Sequence, residues 1–123
     1  MAKGFDVQAA LARLHRAWSA ATSTTWRPEA PALGQCSVTA LLLQDRFGGE
    51  ILQAPTPWGP HFYNRIEGAR QDLTAAQFAA MGAAVPPYPD HPASRAEALA
   101  DTSPAQYAAL RQAWDAARER PEE

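Results

Sequence analysis

Eleven prolines punctuate this 123-residue chain, and nine of them fall in three clusters: Pro28 with Pro31, Pro55 to Pro60, and Pro86 to Pro92. Proline fixes φ and has no backbone N–H to donate, so neither a helix nor a central strand is expected to run through such a cluster. Regular structure is expected in the windows between them. Ahead of the first cluster, Asp6 is a good N-cap and Val7, Leu11, Leu14 and Trp18 recur at helical spacing, which predicts a helix over 6–20. The stretch 21–33, with Thr22-Ser23-Thr24-Thr25 and two prolines, has no periodicity and reads as a surface loop.

Between Gly34-Gln35 and Gly48-Gly49, a run containing Val38, Leu41, Leu42 and Leu43 predicts a second helix, apolar enough to be the central one and headed by Cys36. Glu50 to Gln53 reads as a short strand, and the proline-rich segment up to Pro60 as a rigid connection or flap. His61-Phe62-Tyr63-Asn64-Arg65-Ile66, a turn at Glu67-Gly68 and a return over 69–73 read as a β-hairpin. Thr74 and Gln77 have capping-box spacing for a short third helix through Phe78 and Met81, which Gly82 can end. Residues 85–92, with Pro86-Pro87 and Pro89, read as an ordered but irregular strap or a linker carrying little chemistry. Ser103-Pro104 opens a last helix through Tyr107, Leu110 and Trp114, and 117–123 are expected to fray.

These windows predict an α+β fold: a central helix with Cys36 at its N-terminus, packed on a small antiparallel sheet of about three strands, with flanking N- and C-terminal helices. At 13.3 kDa, with 46% hydrophobic and 20% charged residues, a single domain over 1–123 is expected. A formal net charge of -2 with scattered Lys and Arg excludes nucleic acid as a default partner. No run approaches the roughly 20 apolar residues of a membrane span, and Met1 to Val7 lack the apolar core of a signal peptide, so a cytoplasmic protein with no membrane partner is expected.

A single cysteine makes no intramolecular disulfide, and with three scattered histidines it gives no zinc spacing, so no metal and no cofactor is expected. Cys36 is then either a buried apolar side chain or a nucleophile. A helix N-terminus stabilises a thiolate through unpaired N–H groups and the helix dipole. Gly34 leaves room for a substrate carbonyl, and the Cys36 N–H and the Gln35 side chain are candidate oxyanion donors. His61 is the candidate base and Asp72 the candidate group that orients it. If Glu67 and Gly68 are the two central turn residues, His61 faces Thr74 and Asp72 lies one diagonal step away on the same face; a three-residue loop would place them on opposite faces. Trp58 either lines a pocket mouth or caps the hairpin. The competing readings are a core cysteine, a hydrogen-bonded strand histidine and a helix-capping aspartate. Trp18, Trp26 and Trp114 read as core, His15 and His91 as exposed, and Asp45, Arg46 and Glu50 as salt bridges or caps around the end of the second helix.

Gly34-Gln35-Cys36-Ser37-Val38-Thr39-Ala40, Gln44-Asp45-Arg46-Phe47-Gly48-Gly49-Glu50-Ile51-Leu52, His61-Phe62-Tyr63-Asn64 and Asp72-Leu73-Thr74-Ala75-Ala76-Gln77-Phe78 together resemble the YunG-like family of small bacterial proteins. The order Cys, His, Asp on helix start, strand and next strand is also similar, more distantly, to the transglutaminase-like and papain-like cysteine fold. That resemblance implies a nucleophile at Cys36, a base at His61 and an orienting group at Asp72. The function expected is a cysteine hydrolase or acyltransferase acting on an amide or thioester of a small-molecule or peptide substrate. The alternative is a non-catalytic binding domain in which the same residues tie the hairpin together.

Overall fold

The computed structural model of the chain describes residues 4–117. In chain order its elements are α1 (Val7–Ala17), α2 (Cys36–Phe47), β1 (Glu50–Thr56), β2 (Gly59–Ile66), β3 (Ala69–Gln71), α3 (Ala76–Ala80), β4 (His91–Ala93), α4 (Arg95–Ala100) and α5 (Pro104–Ala117). The strands form one antiparallel sheet in the order β3-β2-β1-β4. The α+β class and the central Cys36 helix are as the sequence predicts, with one strand more than expected. The expected fraying of the C-terminal segment concerns residues that, past Ala117, lie outside the described ones.

Asp6 starts α1 by accepting a hydrogen bond from the Ala9 N–H at 3.0 Å. The helix ends at Ala17 rather than Ala20. There Ser19 and Thr22 exchange hydrogen bonds between hydroxyl and backbone, which competes with the helical ladder. Every residue of α2 from Ser37 to Leu43 is buried. One side of the helix meets Leu14 of α1, Trp18 just past its end, and Leu110 and Trp114 of α5; Ala40 and Leu41 meet Ile51 and Phe62 of the sheet. Asn64 on β2 donates to the Ala40 carbonyl of α2 at 3.1 Å, and Trp18 donates to Thr39 at 2.9 Å. The first of these buried bonds fixes the helix against the strand that carries His61, and the second fixes it to the end of α1.

Three sequence expectations are corrected. Pro55 and Pro60 lie inside strands, facing each other in a β-hairpin closed at Thr56 and Gly59 around Pro57-Trp58. They are tolerated because β4 covers only Ile51 to Gln53 of β1, and β3 only Asn64 to Ile66 of β2, so the outward edges beside both prolines need no donor. Thr74 makes no capping box: α3 begins after Ala75, and Gln77 turns its amide to the Thr74 hydroxyl at 3.0 Å while accepting from the Gly34 N–H at 3.3 Å. The strap over 85–92 is not inert. It contributes His91 to β4 and lays Tyr88 against Leu52, Ala54 and Tyr63, on the sheet face opposite α2. Beyond it lies α4, a helix absent from the sequence reading, although Ser94 and Glu97 form a complete capping box at its start.

Candidate active site

The hairpin register decides whether His61 and Asp72 can meet. Glu67 and Gly68 both adopt positive φ, and Ile66 pairs with Ala69, so the turn has the two-residue form. Pairing continues through Asn64 and Gln71, which brings Asp72 diagonally beside His61 as expected. The His61 Nε2 and the Asp72 Oδ2 are 2.7 Å apart, and both side chains are almost wholly buried. Asp72 is also tied to its own turn through the Thr74 N–H at 3.3 Å.

Cys36 lies at the first position of α2, partly buried. It shares with His61 a cleft of about 280 Å³. With Asp72 on Nε2, Nδ1 is the ring nitrogen left for the thiol. Burial alone would lower the His61 pKa, but hydrogen bonds with Asp72 and then Cys36 outweigh it and raise the value from 6.5 to about 9. At neutral pH the ring is therefore an imidazolium between two acidic partners.

The other expected residues are placed differently. The Gln35 side chain is fully buried; its Oε1 accepts from the Thr22 hydroxyl at 2.9 Å, and its Nε2 has no hydrogen-bond partner. Trp58 stands exposed at the tip of the β1–β2 hairpin and lines the cleft, 6.4 Å from the Phe78 ring. Gly34 has a structural reason of its own: a Cβ there would overlap the Thr25 and Ser23 hydroxyls, and its φ is +71°. That packing sets the entry of the chain into Gln35 and Cys36. Asp45, Glu50 and Arg46 pair with Arg95, Arg65 and Asp115 on the surface, as expected.

Two residues near this site escape the sequence reading. Tyr88 donates to the same Asp72 Oδ2 at 2.6 Å, and burial followed by that bond pushes its own pKa up. The signal available was a lone tyrosine among Pro86, Pro87 and Pro89, held rigidly enough to present a hydroxyl. Asp101, at the C-terminal end of α4, also lines the cleft. Removing the Tyr88 hydroxyl in Tyr88→Phe is expected to cost about 1.5–3 kcal/mol, the range for a hydrogen bond to a charged group. Urea denaturation measures it; an unchanged midpoint would mean that water replaces the hydroxyl.

Among the described residues no group of three or more His, Cys, Asp or Glu is placed to hold a metal ion, and no helix is long and apolar enough to cross a membrane. Comparison with known proteins matches residues 6–119 to a family model described as YunG protein. A relative from Bacillus subtilis (strain 168), called "Uncharacterized protein YunG", is 44% identical over 101 residues, covering 82% of this chain and 84% of its own. No solved structure matches the chain.

Proposed function

The chain belongs to the YunG family, and since that membership names no reaction, we propose one from the geometry: a thiol-dependent hydrolase or acyltransferase that cleaves an amide or thioester through Cys36, His61 and Asp72. The observation that carries this reading is the buried His61 ring, bound to Asp72 at 2.7 Å and interacting with the Cys36 side chain at the wall of an open cleft. The order and placement of the three residues, similar to those of transglutaminase-like and papain-like enzymes, supports it.

In the proposed reaction the Cys36 thiolate attacks the carbonyl carbon and the carbonyl electron pair moves to oxygen. The Cys36 N–H, at a helix terminus where it has no intrahelical acceptor, is the donor proposed for that oxygen, whereas Gln35 is buried against Thr22 and does not line the cleft. As the tetrahedral intermediate collapses, the imidazolium gives its proton to the departing amine or thiol. The ring, now neutral, takes a proton from the incoming water or alcohol that releases the acyl group from sulfur. Asp72 keeps the ring in one orientation throughout.

The test is the rate of iodoacetamide alkylation against pH for the native chain and His61→Ala. A single cysteine makes one adduct per chain the readout. His61→Ala is expected to slow alkylation at pH 7 by about tenfold or more, because the imidazolium that holds the thiolate is gone. A profile that ignores the histidine would remove the catalytic reading and leave the binding domain.

A further inference from the structure

Of the side chains lining the cleft, His61 and Asp101 alone are ionisable apart from Cys36 itself, and Asp101 has no part in the proposed chemistry. Its position is locally unfavourable. It caps the C-terminal end of α4, where helix carbonyls repel an anion, and the last turn holds no basic residue. Asp45, Glu50, Asp90 and Asp115 each hold an arginine, whereas Asp101 belongs to none of the ion pairs among the described residues. Burial raises the Asp101 pKa above the ordinary carboxylate value, and the neighbouring Ser37 hydroxyl, one residue past Cys36, acts against that rise. An exposed carboxylate with no cationic partner among the described residues thus lines the same cleft as the thiol, together with Trp58, Phe78 and Met81. Residues that break a local rule without compensation are expected where function requires them.

We propose that the substrate of this site carries a cationic amine, received by Asp101 while the substrate's apolar part lies against Trp58, Phe78 and Met81. The inference rests on the thiol-hydrolase reading and narrows its substrates from amides and thioesters in general to those bearing an ammonium group near the scissile bond. The same carboxylate disfavours acyl groups that carry their own carboxylate.

A pair of methanethiosulfonates of similar size, one ending in ammonium and the other in sulfonate, probes this field. Each transfers its thioalkyl group to the Cys36 thiolate, forming a mixed disulfide and expelling methanesulfinate. Relative to 2-mercaptoethanol, the native chain is expected to favour the ammonium reagent by about tenfold, and Asp101→Asn to cut that excess at least about threefold, as removal of one nearby charge requires. Raising the salt should erode the excess in the native chain more than in the variant. A ratio that stays within about twofold in Asp101→Asn overturns the proposal. Neutral iodoacetamide separates the two failures: alkylation that depends on His61 with a ratio blind to Asp101 refutes the cationic substrate alone. Alkylation blind to His61 refutes the hydrolase reading and the substrate assignment with it.

Discussion

Gly49→Ala is expected to lower stability by about 3 kcal/mol and the melting temperature by about 10 °C, combining the strain of a positive φ with a backbone collision. Gly49 has φ +82°, and a Cβ there would fall on the carbonyl oxygen of Arg65. That oxygen belongs to the backbone of β2, so no rotamer change relieves the overlap; β1 must move from β2, or α2 from both. The junction Gly48-Gly49 joins the helix headed by Cys36 to the strand pair that carries His61, so a shift here separates the thiol from the ring. Thermal melting should show the loss, and iodoacetamide alkylation should slow along with it. Gly82→Ala is the control, since Gly82 has a similar φ of +71° with no atom within 4 Å of the added Cβ. Were Gly49→Ala no worse than Gly82→Ala, strain alone would account for it and the close approach to Arg65 would not be limiting.

What the sequence made legible follows from how local each determinant is. Two glycines and a block of leucines bound α2, and a two-residue turn at Glu67-Gly68 fixes the parity of every residue on the hairpin, so the approach of Asp72 to His61 was open to prediction. The strand prolines were illegible because the rule against them holds only where a neighbouring strand needs their N–H, and sequence does not say where β3 and β4 stop. Gln77 has the spacing of a capping residue, yet its amide ties Thr74 to the Gly34 loop, a tertiary use that overrides the local one. Tyr88 reaches Asp72 across 16 positions from a segment that has no periodicity to interpret. Asp101 is drawn to the cleft only through the packing of α4 beside α2. Short-range patterns therefore locate the nucleophile and the hairpin, whereas the groups surrounding them depend on contacts that no spacing encodes.

Asp72→Asn is expected to remove about 3 kcal/mol of stability at pH 6 and much less above pH 9. His61 has a folded pKa of about 9 against 6.5 for the free side chain. A raised value means that the folded chain holds the proton more tightly than the unfolded one. The resulting stability is fully present below about pH 6.5, declines as pH rises, and is lost once pH passes about 9. At about 1.4 kcal/mol per pH unit, that span is worth about 3 kcal/mol. Burial acts in the opposite direction and would by itself discharge the ring; among the causes that raise the value, Asp72 contributes more than Cys36. An asparagine keeps the shape and offers an oxygen to Nε2 but no charge, so burial should prevail and leave the ring neutral near pH 7. Urea denaturation of the two proteins between pH 6 and 9.5 supplies the comparison, and subtracting the variant's curve cancels the groups common to both. The difference should shrink as the pH rises. Parallel curves would show that Asp72 contributes a hydrogen bond and no charge stabilisation, and a ring that is neutral at pH 7 in the native chain has no proton to give a leaving group. The same Asp72→Asn protein should then also alkylate at the native rate, so the stability profile and the reactivity of Cys36 stand or fall on one proton.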